Sequence, residues 1–258
     1  MLMAKLEIHQ FPCLSDNYGV LIHDAAAGLT ASIDAPNAET VATALKEKGW
    51  TLTHILTTHH HADHTDGNAA LKAATKCTII GPRNEAAKIP GIDTQVGEGD
   101  TFTFGSHEVR VLDTPGHTAG HITYVFPADK VAFAGDTLFA IGCGRVIEGD
   151  AKMMWTSLQK LMALPKDTTV YCGHEYTHSN AKFALTIEPE NAALQTRAKE
   201  VDQLRAAGKP TLPTTIGVEL ETNPFLRPHV PAIQKRLGME GKPEWQIFGE
   251  IRERKNRG

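Results

Sequence analysis

Four potential metal ligands fall within six residues in Thr58-His59-His60-His61-Ala62-Asp63-His64, directly after the apolar, strand-like segment His54-Ile55-Leu56-Thr57. In extended chain, residues two apart share a side, so His59 and His61 converge while His60 points outward. Asp63 and His64 lie past a turn, where a helix over Thr65–Ala74 is expected to begin, and so approach from a second direction. A strand end, a turn and a helix start must therefore meet at one point.

The same order of apolar strand, small residue or turn, and ligand-type side chain recurs three times. Val109–Asp113 runs into Thr114-Pro115-Gly116-His117, Val131–Ala134 into Gly135-Asp136, and Thr169–Cys172 into Gly173-His174. Glycine at these positions lets backbone approach a site and turn sharply there. His59, His61, Asp63, His64, His117, Asp136 and His174 are the candidate metal ligands. Seven nitrogen and oxygen donors are too many for one tetrahedral ion and suit two ions sharing a carboxylate, with Asp136 as the expected bridge. His121 is expected to anchor its loop. His9, His23, His54, His107, His178 and His229 lack this pattern and are assigned core or surface roles.

A chain of 258 residues can bury a large core, and its net charge of −4, without a basic run, argues against nucleic acid as a partner. The stretch Met1–Gln10 carries Lys5 and Glu7 and no long apolar run, so neither a leader nor a membrane span is expected, and the protein is placed in the cytoplasm. Cys13, Cys77, Cys143 and Cys172 form no Cys-x-x-Cys pair and read as reduced thiols.

To residue 173, short β-branched or apolar runs alternate with helical stretches at Ala38–Lys48, Thr65–Ala74 and Ala151–Ala163, which fits two packed mixed sheets flanked by helices. Beyond His174 the pattern is helical at Phe183–Ile187, Asn191–Ala207, Ala232–Leu237 and Glu244–Lys255, with no competing strand pattern. Two domains are expected: 1–173, carrying the metal ligands, and 174–258, helical and substrate-binding. The basic segment Arg252–Lys255 would by itself read as a solvated helix end.

Thr58–His64 resembles the Thr-His-x-His-x-Asp-His signature of the metallo-β-lactamase superfamily, with His117, Asp136 and His174 at its downstream ligand positions. Narrower matches are Thr114–Ile122, Gly135–Phe139, Gly142–Arg145, Glu148-Gly149, Cys172–Thr177, Asn223–Arg227 and the Arg-x-x-Lys of Arg252 and Lys255. Together they are similar to the hydroxyacylglutathione hydrolase (glyoxalase II) family across nearly the whole chain. The resemblance implies an α/β fold, an αββα sandwich with a C-terminal all-helical domain. It implies hydrolysis of S-D-lactoylglutathione to glutathione and D-lactate in methylglyoxal degradation. His59, His61, His117 and Asp136 would hold one metal and Asp63, His64, Asp136 and His174 the other, while Arg145, Tyr176, Arg252 and Lys255 would contact glutathione. The chain differs from the family in carrying Ile147 where an aromatic residue is common and Asp150 where threonine is common.

Two divalent cations, zinc ahead of iron or manganese, could share a hydroxide, because metal binding lowers the pKa of water to about 7. The hydroxide would attack the thioester carbonyl, and a thiolate of pKa about 8.5 leaves without a general acid. The partner is a small glutathione thioester, with no nucleic acid or membrane, and the protein is expected to be a monomer. Rival readings are another hydrolase of the superfamily, a one-iron persulfide dioxygenase, and a non-catalytic glutathione sensor.

Overall fold

β-Branched and aromatic residues drive the first part of the chain into strands: β1 (Glu7–Cys13), β2 (Asn17–Asp24) and β3 (Leu29–Ile33) follow one another antiparallel. The computed structural model describes residues 5–258, so residues 1–4 of the stretch read as lacking a leader lie outside the described residues. The chain forms two compact units. One contains the described residues to Asp113 and Thr118–Gly135, and the other Thr114–His117 and Asp136–Gly258. These cuts fall elsewhere than the sequence boundary at 173/174, and the segment from Asp136 groups with the helices that follow.

In the first unit, α1 (Ala38–Lys48) leads to β4 (His54–Leu56), then α2 (Ala62–Thr65) and α3 (Asn68–Thr75) lead to β5 (Thr78–Pro82), followed by β6 (Thr94–Val96). Strands β3 to β6 are parallel, giving a mixed sheet in the order β1-β2-β3-β4-β5-β6. Helix α1 is fixed at its start by the Asn37 side chain, which accepts from Thr40 N, and carries Lys46 and Lys48 in its last turn. Leu21, Ile55 and Ile79 project from one face of this sheet into a core with Val41 and Leu45 of α1 and Leu71 of α3. The expected helix over Thr65–Ala74 is two helices. At the break, Gly67 N–H is drawn out of the helix ladder to Ala35 O at 2.9 Å.

A second, antiparallel set runs β7 (Thr101–Phe104), β8 (His107–Asp113), β9 (Ile122–Phe126) and β10 (Val131–Phe133). Every residue of β9 is buried, so both of its faces are covered. Tyr124 of β9 joins the two sheets: its hydroxyl donates to Thr57 O at 2.9 Å and Ile80 O at 3.1 Å.

The second unit opens with a hairpin, β11 (Leu138–Phe139) and β12 (Gly142–Cys143), then α4 (Ala151–Met162), β13 (Thr169–Tyr171) and α5 (Thr177–Ile187). After these come α6 (Ala192–Ala206), β14 (Thr214–Thr215), α7 (Ile216–Thr222), α8 (Pro231–Leu237) and α9 (Glu244–Arg257). Asp150 caps α4, its carboxylate accepting from Met153 N at 2.7 Å, a task a threonine also performs. The region after His174 is helical with one correction: Thr214 and Thr215 pair antiparallel with Val170 and Thr169. Helix α5 begins six residues earlier than expected, and α7 is additional. Among the described residues no helix is long and apolar enough to cross a membrane.

Candidate active site

In the first unit, β4 ends at Leu56 and the chain stays out of helix until Ala62, carrying buried Thr57, Thr58 and His59. His59 Nε2 and His61 Nδ1 are 3.2 Å apart, and the His59 and His64 rings lie 4.1 Å apart. His64 Nε2 is 3.6 Å from Asp63 Oδ2 across the first turn of α2. Thus His59, His61, Asp63 and His64 occupy one patch. His60 departs from expectation: instead of facing solvent, it is largely buried with Nδ1 2.9 Å from Glu85 Oε2. His121 is buried and stacks on His59 at 4.8 Å.

Three buried residues that sequence reading did not single out hold this patch in place. Asp34, just past β3, accepts Thr58 N at 2.6 Å and Thr58 Oγ1 at 2.8 Å, and its Oδ2 lies 2.8 Å from His64 Nδ1. Glu85 accepts from His60 N at 2.9 Å and Gly120 N at 2.7 Å, and Asn17 donates to Asp63 Oδ2 at 3.1 Å. Asp34 directly follows the strand-like run Ala31-Ser32-Ile33 without an intervening small residue or turn, so it shows only part of the pattern that marks the ligand candidates. Glu85 and Asn17 carry no such signal. At Gly135, φ is +47° and a Cβ would sit 2.6 Å from His121 Nε2 and Thr58 Oγ1, so only glycine fits without displacement.

The second unit brings His117, Asp136 and His174 together. His117 Nε2 is 3.4 Å and His174 Nε2 3.2 Å from the same Asp136 oxygen, Oδ2, and all three side chains are buried. His117 is oriented by Arg145 O, 3.0 Å from its Nδ1. Gly144 lets the chain pass against Asp136, since a Cβ there would lie 2.0 Å from Asp136 O.

His117 and Asp136 also line a cavity of about 760 Å³ whose other walls include Phe139, Arg145, Tyr176, Arg252 and Lys255. Arg252 is only 6% exposed, and its Nη1 donates to Cys143 O at 2.9 Å and its Nε to Asn256 Oδ1 at 3.0 Å, both neutral acceptors. Lys255 Nζ donates to Ser179 O at 3.1 Å, and burial, with the charge of Arg252 adding, holds its pKa below the ordinary lysine value. Tyr176 stacks on His174 with ring centres 4.7 Å apart and meets Phe139 edge-on at 5.3 Å. Burial pushes the Cys143 thiol up to about 11 against the opposing influence of Arg252, and drives the Cys172 thiol up strongly. Neither is a nucleophile at neutral pH.

Residues 19–174 match the model of the metallo-β-lactamase superfamily, and residues 175–258 that of the hydroxyacylglutathione hydrolase C-terminus. The chain is 60% identical over 252 residues to a hydroxyacylglutathione hydrolase of Brucella anthropi, covering 98% of this chain and 97% of that one. It is 58% identical over 254 residues to one of Rhizobium meliloti, covering 98% and 99%. Among solved structures it is similar to ETHE1 from Myxococcus xanthus, with 30% identity, a TM-score of 0.69 and 96% and 90% of the two chains covered. The BLEG-1 B3 metallo-β-lactamase, at 23% identity and a TM-score of 0.65 over 85% and 99% of the chains, shares the fold. The chain belongs to the metallo-β-lactamase superfamily and, within it, to the hydroxyacylglutathione hydrolase family.

Proposed function

We propose that this protein is a glyoxalase II, hydrolysing S-(2-hydroxyacyl)glutathione, with S-D-lactoylglutathione as the principal substrate, to glutathione and the 2-hydroxy acid during methylglyoxal detoxification. The observation that carries this reading is the single cavity with two candidate metal ligands, His117 and Asp136, on one wall and Arg145, Tyr176, Arg252 and Lys255 on others. Superfamily membership implies divalent metal binding. The donors fit it, because imidazole nitrogens and carboxylate oxygens gather in buried surroundings around a shared Asp136 oxygen.

In this proposal His59, His61, His117 and Asp136 hold one ion, and Asp63, His64, Asp136 and His174 a second, with zinc the preferred metal and iron or manganese the alternatives. When bound, such ions lower the pKa of water and stabilise negative charge on a carbonyl oxygen. The chain's own residues supply position. Arg252, Lys255 and Arg145 receive the two glutathione carboxylates, and the Tyr176 phenol offers a further donor. Water adds to the thioester carbonyl and gives up its protons to solvent, the C–S bond breaks, and the products leave as carboxylate and thiolate, so no buried acid is required. The protein is proposed to act as a cytoplasmic monomer without nucleic acid or membrane partners.

The test is hydrolysis of S-D-lactoylglutathione by the purified protein with metal content measured on the same sample, alongside a non-glutathione thioester, a lactone and a persulfide. Glutathione-selective hydrolysis with close to two metals per chain is expected. A metal-loaded protein inert toward the thioester would overturn the reading, and one iron per chain with persulfide oxidation would replace it.

A further inference from the structure

Glu219 of α7 is completely buried, yet none of its hydrogen-bond donors is a cation. Its Oε1 accepts from Thr214 Oγ1 at 2.7 Å, and its Oε2 from Ile141 N at 2.7 Å and Asn223 Nδ2 at 2.9 Å. Burial holds its carboxyl above the ordinary value, with the three donors opposing. Burying an ionisable group is costly unless hydrogen bonds or a counter-charge compensate, and here the direct compensation comes from neutral donors.

Glu219 serves the turn between β11 and β12. Ile141 adopts φ of +55°, a left-handed conformation that a β-branched residue rarely takes. Its N–H goes to Glu219, and its side chain is buried with Ala181, Ala184 and Leu194. Asn223 Nδ2 donates to Gly142 O at 2.9 Å, and Asn180 Nδ2 to Ala140 O at 3.1 Å. Glu219 and Asn223 thus latch the hairpin from one side. The hairpin's two strands reach the cavity: Phe139 is packed edge-on against Tyr176, and Cys143 O is the acceptor that fixes Arg252.

We propose that Glu219, with Asn223, is a positioning residue for thioester binding, acting through the Phe139–Cys143 hairpin on Tyr176 and Arg252. The proposal rests on the hydrolase reading above for the identity of the ligand. The latch needs acceptor oxygen more than negative charge. In Glu219→Gln the amide oxygen can accept from Ile141 N and Asn223, while the amide NH₂ donates to Thr214 Oγ1.

The experiment compares metal-loaded wild type, Glu219→Ala, Glu219→Gln and Asn223→Ala in S-D-lactoylglutathione hydrolysis and in maleimide labelling of Cys143 and Cys77, read by peptide mass spectrometry. For Glu219→Ala we expect KM to rise about tenfold with kcat within about threefold, Cys143 to label at least about tenfold faster, and Cys77 to be unchanged. Glu219→Gln should stay within about twofold of wild type. If Glu219→Ala does not fold, Asn223→Ala carries the same expectation. Unchanged KM and Cys143 labelling in a folded alanine variant, or equal acceleration at Cys143 and Cys77, overturns the latch. Selective Cys143 exposure with a wild type inert toward the thioester supports the latch and overturns the hydrolase reading.

Discussion

Asp34 has φ of 58°, outside the comfortable range of a non-glycine residue, and its carboxylate is fully committed to Thr58 and His64. Asp34 Oδ2 accepts a hydrogen bond from His64 Nδ1–H, which leaves His64 Nε2 with a lone pair to offer a metal in the proposed site. Asp34→Asn keeps the shape and reverses this logic. With the amide NH₂ toward His64, Nδ1 must accept, the proton moves to Nε2, and the ligand is lost. Metal affinity should fall about 10–100-fold, read by chelator competition, and unaltered affinity would refute this role for Asp34. Arg252 and Asp136 give a contrasting pair. If Arg252 holds a glutathione carboxylate as proposed, Arg252→Ala should raise KM about 10–100-fold with kcat largely kept, whereas Asp136→Ala should abolish turnover. Steady-state kinetics of the two variants separate substrate anchoring from chemistry, and substantial turnover by Asp136→Ala would remove it from the centre.

At the scale of elements, the end of β2 and the β7–β8 turn are joined by one carboxylate. Asp24 accepts from Ala26 N at 2.9 Å and Ala27 N at 3.1 Å within its own turn, and from Ser106 N at 2.8 Å and Ser106 Oγ at 2.9 Å in the other sheet. Burial pushes its carboxyl up, but the four donors outweigh burial and hold it down to about 2, against 3.8 ordinarily. A folded-state pKa below the unfolded value gives stability that is present above about pH 4 and is lost as pH falls toward 2. Asp24→Asn should cost roughly 1–3 kcal/mol at pH 7 and flatten the pH dependence of denaturant unfolding between pH 4 and 2; a variant with the wild-type acid profile would contradict this. Such ties explain what the sequence did and did not disclose. Strands β7 and β8 and helix α1 announce themselves by periodicity and caps, and the seven ligand candidates by their place after apolar runs. The two-residue strands β11, β12 and β14 have too little length for any period to show. Glu85, Asn17 and Glu219 look like ordinary polar residues until residues far along the chain arrive as their partners.

For the molecule as a whole, a net charge of −4 sets a weak repulsive field for an anionic thioester, while Arg145, Arg252, Lys255 and Arg257 line the cavity proposed to receive it. Local charges act within a Debye length, about 10 Å at 0.1 M salt, so the cationic wall is expected to govern capture and the small net charge is not. Raising ionic strength should therefore raise KM by a few-fold and leave kcat unchanged, because the reacting centre is buried and screened less. The alkaline limb follows from Lys255. Its pKa lies below the ordinary lysine value, so its charge, and the affinity it supplies, is lost at lower pH than an exposed lysine would lose it. KM should climb on the alkaline side, and Lys255→Arg, which does not deprotonate in that range, should remove the climb. Steady-state titrations against salt and pH on wild type and this variant decide the matter: a KM that falls with salt would mean that the net charge prevails over the cavity, and an alkaline limb retained by Lys255→Arg would assign the titration to another group.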